Sequence, residues 1–161
     1  MITDNFIDFT KIIKDKTGCL LGIDYGLKNV GVAISNKEKT IAMPLYILEN
    51  NQQLLVNILN IINQHNVIGL IMGWPLTLDG KSVHKIGQNI LFLCGNIYKK
   101  SALPTLLFDE SMSTKDAISQ VYSLGITTEN KLIKKIGKGK DDHIAARFIL
   151  QNVLHKLNNH N

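Results

Sequence analysis

Residues 20–34 read LLGIDYGLKNVGVAI. Two apolar runs flank a short glycine-containing turn, and the first run closes on Asp24. This pattern predicts a hairpin with strands over 19–24 and 30–35. A third strand-like run, IAMPLYIL at 41–48, follows. Pro44 cannot donate to a ladder, so that strand belongs at an edge. The pattern then changes. Leu54, Leu55, Ile58, Leu59, Ile61 and Ile62 recur at helical spacing. VIGLIMG at 67–73 is a short apolar run of the kind found in buried parallel strands. Val83, Ile86, Ile90, Leu93, Cys94 and Ile97 mark a second helix, and LPTLLF at 103–108 a fifth strand.

The predicted order is β-β-β-α-β-α-β-α: an α/β fold with a five-stranded mixed sheet flanked by helices. Strands joined by helical crossovers run parallel, and such crossovers are right-handed. The first, fourth and fifth strands should therefore be parallel neighbours with their C-terminal ends along one rim. Open α/β sheets place their sites at that rim.

A chain of 161 residues suits one domain with a sizeable core. The expected division is an extension over 1–18, containing a short helix built on Phe6, Phe9, Ile12 and Ile13, and a domain over 19–158. Ser113 and Asp116 have the spacing of a capping box and predict a third helix through Tyr122. A last helix is expected to start near Asp141 and Asp142.

Hydrophobic residues make up 45% of the chain and charged ones 19%, which argues against disorder. No apolar run reaches the roughly 18–20 residues of a membrane span. The first eighteen residues carry Asp4, Asp8 and Asp15 and do not read as a signal peptide. Cys19 and Cys94 lie in apolar contexts without partners at ligand spacing. They read as reduced core residues of a cytoplasmic protein. The net charge of +5 suits a polyanionic partner. Arg147 is the single arginine, so phosphate contacts fall mainly to lysines.

The topology brings acids together. Asp24 ends the first strand, Asp109 and Glu110 end the fifth, and Asp142 opens the last helix. Taken singly, each is an ordinary turn, loop or cap residue. Crowded at one rim, they would repel and be costly to desolvate. Divalent cations offset that cost, and hard oxygen ligands suit Mg²⁺ or Mn²⁺. Two such ions can serve phosphodiester cleavage. A strand alternates faces, so Asp109 and Glu110 should not both point at the metals.

Four blocks, GIDYGLKNVGVAIS, IMGWPLTLDGK, FDESMSTKDA and DDHIAARFILQ, resemble the signature blocks of the YqgF (RuvX) family. That family comprises proposed pre-16S rRNA nucleases, also described as Holliday junction resolvase-like, with the ribonuclease H fold. The resemblance spans about residues 19–157. It implies a metal-dependent endonuclease with Asp24, Glu110 (or Asp109) and Asp142 as catalytic metal ligands. Pre-16S rRNA in ribosomal precursor particles is the first expected substrate and branched DNA the second. Asn29 and Ser111 stand where the family often or usually has arginine, which removes a candidate phosphate clamp.

Other residues enter as candidate nucleic-acid contacts. Lys28 follows the Gly26 turn, and Trp74 is the single tryptophan, suited either to stacking on bases or to covering the core. Lys131, Lys134, Lys135, Lys138 and Lys140 crowd ten residues without an acid, as a solvated loop or as a basic arm ahead of Asp142. A non-catalytic nucleic-acid-binding module stays open. A two-lobed actin-like ATPase does not suit this length. The sequence leaves monomer and homodimer open, and predicts no membrane partner.

Overall fold

The computed structural model describes residues 1–75, 81–109 and 142–159. The elements are β1 (Ile2–Thr3), α1 (Phe6–Ile13), β2 (Cys19–Tyr25), β3 (Asn29–Ser35), β4 (Ala42–Glu49), α2 (Leu54–Gln64), β5 (Val67–Trp74), α3 (Lys81–Ser101), β6 (Thr105–Asp109) and α4 (Asp142–Asn159). The sheet order is β1-β6-β5-β2-β3-β4. β2, β5 and β6 are parallel neighbours, while β3 and β4 continue the sheet antiparallel. The helix expected from Ser113 lies outside the described residues.

The sheet has six strands rather than five. The additional strand is β1, where Ile2 and Thr3 pair in parallel with Thr105 and Leu106 of β6. Two residues are too few to show a period, so only pairing reveals this strand. The N-terminal segment also packs into the main core. Asn5 caps α1 by accepting from the N–H groups of Ile7 and Asp8. Phe9 and Ile13 of that helix are fully buried with Leu20, Ile71, Leu106 and Leu154.

Alternation along the strands divides the core into two layers. Leu21, Ile23, Val32, Leu70 and Met72 face α2 and α3, among Ile58, Ile90 and Ile97. Leu20, Ala33, Ile71, Leu106 and Phe108 face α1 and α4, among Ile149, Leu150 and Val153. Pro44 lies on the edge strand β4 at a register shift, where a missing donor does least harm. Cys94 is buried in the first layer, and burial pushes its thiol up to about 12. Cys19 is half-buried, and burial raises its thiol too. No helix among the described residues is long and apolar enough to cross a membrane.

Ser35 is a buried polar link between β2 and β3. Its hydroxyl accepts from the Leu20 N–H at 2.9 Å and donates to the Asn36 carbonyl at 2.8 Å. Ser35→Ala would strand the Leu20 donor in the core. The expected cost is about 1–3 kcal/mol. A urea titration should show a lower midpoint at unchanged slope, since the unfolded surface is the same.

Candidate active site

β2 carries Asp24 one residue before its end, half-buried and opposite Gly31 of β3. Register fixes which way this carboxylate stands. Gly22, two residues earlier, has the same parity and faces α4. A Cβ on Gly22 would sit 2.8 Å from Leu150 Cβ and 3.0 Å from the Ala146 carbonyl oxygen. Asp24 therefore belongs to the α4 face of the sheet.

The direction of α4 brings its first residue toward the same rim. Asn158, near its far end, donates to the Lys39 carbonyl in the turn before β4. In its middle, Gln151 accepts from the Ala42 N–H, and Arg147 donates to the Ala42 carbonyl. α4 thus starts toward the C-terminal end of β2 and runs back across β2, β3 and β4. From Gly22 to Asp24 is about 7 Å along a strand. From the middle of the Ala146–Leu150 step back to position 142 is about 9 Å along a helix. Positions 142, 146 and 150 form one helical row, the row that lies over Gly22.

The sequence could not choose between Asp109 and Glu110, and the register of β6 places Asp109 alone. Gly73 pairs with Phe108, and Trp74 with Asp109. Phe108 belongs to the α1–α4 layer, and Leu107 packs with the α2–α3 layer. Asp109 shares the parity of Leu107, so it stands on the face opposite Asp24. Glu110 lies outside the described residues, as do Ser111 and the five lysines at 131–140. The side chain of Asp142 is outside them too. Among the described residues no three His, Cys, Asp or Glu side chains gather as a metal site.

Trp74 is half-buried and turned toward the core. Its indole lies over Gly87 of α3, where a Cβ would come within 3.0 Å of the ring, and it packs on the α2–α3 layer. Lys28 is exposed in the turn between β2 and β3. That turn is held by a residue the sequence reading missed. Asn50 donates from its side chain to the Gly26 carbonyl at 2.7 Å, and from its backbone to the Lys28 carbonyl at 2.8 Å. Gly26 cannot be replaced freely, because a Cβ there would fall 2.4 Å from the Asn29 carbonyl oxygen. No sequence signal singles out Asn50, one of five consecutive polar residues from Glu49 to Gln53. Gly22 did carry one: a glycine inside an apolar strand marks a close approach.

Residues 18–156 match the family model described as RuvX, Holliday junction resolvase. A Rickettsia peacockii protein named "Putative pre-16S rRNA nuclease" is 34% identical over 161 residues, covering 99% of each chain. A Rickettsia bellii protein of the same name is 32% identical, covering 98% of this chain and 99% of its own. Among solved structures, Thermus thermophilus RuvC in complex with Holliday junction substrate aligns with a TM-score of 0.56 at 11% identity, covering 88% of this chain and 95% of that one. A second Thermus thermophilus RuvC structure gives 0.54 at 13% identity, with the same coverage. At such identities the likeness is one of fold.

Proposed function

Because this chain belongs to the RuvX family, we propose that it is a divalent-metal-dependent endonuclease that trims precursor 16S rRNA in the cytoplasm. The observation that carries this reading is the placement of Asp24. A half-buried carboxylate ends a central parallel strand on the face toward which α4 begins. A carboxylate in that setting fits a hard cation such as Mg²⁺ or Mn²⁺.

The proposed ligands are Asp24, Glu110 and Asp142. Asp109 is set aside because its parity points it to the other face. Glu110, the neighbouring acid of the third signature block, is proposed in its place. Bound there, one or two divalent ions would stabilise the attacking and leaving oxygens of a phosphodiester. The chain's own groups do the rest. Asn50 fixes the turn that presents Lys28 toward the rim, where its ammonium can meet a substrate phosphate. Lys131, Lys134, Lys135, Lys138 and Lys140, which precede Asp142 in the sequence, would supply further positive charge for a nucleic-acid backbone.

The choice of RNA rests on the names of the full-length relatives. The family description favours a second reading, cleavage of four-way DNA junctions. Both substrates should be offered side by side with Mg²⁺ or Mn²⁺. Cleavage of precursor rRNA with an intact junction supports the first reading, and the reverse result supports the second. Cleavage of neither overturns the assignment as a nuclease.

The two neighbouring acids make a sharper test. Glu110→Gln is expected to lower the cleavage rate on the order of a hundredfold or more. Asp109→Asn should stay within about tenfold of the parent, since it changes charge near the site without removing a ligand. Equal losses in both would contradict the assignment by strand parity.

A further inference from the structure

We propose that the outer face of α3, which covers the sheet face opposite Asp24, is a docking track for single-stranded RNA reached across the C-terminal rim of the sheet. This rests on the nuclease reading for its substrate and on a separate set of residues for its chemistry. Phe92 is 75% exposed, the most exposed large apolar side chain among the described residues. Its helix carries Lys81, Lys85, Lys99 and Lys100 and no Asp or Glu. Lys85, Gln88, Phe92 and Lys99 recur at steps of three, four and seven residues and so form one helical stripe. All four are exposed, opposite the buried row of Ile90, Cys94 and Ile97.

Charge decides the occupant. A second copy seated on this face would set lysines against lysines, because α3 offers no acid to pair with them. A polyanion meets no such penalty. An aromatic ring held between lysines suits a strand whose bases are unstacked and free to lie on it. Beside Phe92, the open side of Gly95 has nothing within 4 Å, which leaves room for a planar base. Tyr98, also exposed, flanks the stripe.

The path is continuous with the rim. α3 follows β5, whose C-terminal end lies beside that of β2, and its far end leads back to the start of β6. From Lys85 to Lys99 the stripe runs about 21 Å. An RNA strand cleaved at Asp24 would cross the rim between the two faces of the sheet and lay its flanking, unpaired segment along α3.

The test uses the full chain in EDTA, so that binding is read without cleavage. The probes are a labelled single-stranded oligouridylate and an RNA duplex of equal length. Phe92→Ala should weaken binding of the single strand at least about fivefold while leaving the duplex unchanged. Lys85→Gln with Lys99→Gln should lower the slope of log affinity against log salt by about 1.4. Wild-type affinity in Phe92→Ala, or no binding by the parent, would overturn the track. So would a sedimentation result in which Phe92→Ala dissociates a dimer with RNA affinity unchanged, since the face would then serve self-association. The nuclease reading fails separately, if neither precursor rRNA nor a four-way junction is cleaved with Mg²⁺ or Mn²⁺.

Discussion

Asp24→Asn is expected to lower metal-dependent cleavage on the order of a thousandfold, with the fold intact. The substitution keeps the shape of the side chain and removes its charge. A carboxylate oxygen is a strong ligand for Mg²⁺ or Mn²⁺, and an amide is a far weaker one. Asp24 is half-buried and ends a strand rather than filling the core, so stability should change by less than about 1 kcal/mol. Initial rates on labelled precursor rRNA give the loss, and thermal unfolding monitors the fold. A wild-type rate in this variant would remove Asp24 from the centre. A collapse of the fold would show that the carboxylate serves structure instead.

Gly22→Ala should damage both stability and rate, for one geometric reason. The added methyl meets Leu150 Cβ at 2.8 Å and the Ala146 carbonyl oxygen at 3.0 Å. Neither is the loose end of a flexible side chain, so α4 itself must shift. Overpacking of this kind costs about 1–3 kcal/mol, or roughly 2–4 °C of melting temperature per kcal/mol for a chain of this size. The shift is also transmitted to position 142, on the same helical row and one turn beyond Ala146. Displacing a catalytic group by about 1 Å can cost a hundredfold, so kcat should fall at least about tenfold. KM should change little, because the lysines proposed to meet the phosphates lie outside α4. A stability loss with unchanged kcat would confine Gly22 to packing.

Much of this fold could be read from spacing alone. The apolar runs at 20–34, 67–73 and 103–108 become β2, β3, β5 and β6, and Pro44 marks β4 as the edge strand. What escaped depends on tertiary contact. Ile2 and Thr3 form a strand only because β6 offers a free edge. The helical spacing of Phe9 and Ile13 was visible, but not that both are sealed between the sheet and α4. At the site, Asp24 was legible because a charge closing an apolar run is unusual. The face of Asp109 was not, since two adjacent acids look alike until the pairing of Trp74 with Asp109 fixes the parity of that one. Trp74 could have faced either way, and its contact with Gly87 turns it inward. Asn50 was invisible, as its two hydrogen bonds reach more than twenty residues back along the chain.

The most direct measurement is anomalous scattering from crystals of the protein grown with Mn²⁺. The account predicts manganese bound to the carboxylate of Asp24, with Glu110 and Asp142 completing the protein ligands and Asp109 turned away. Manganese held elsewhere, with Asp24 outside its coordination shell in crystals of a protein that cleaves RNA, would contradict it.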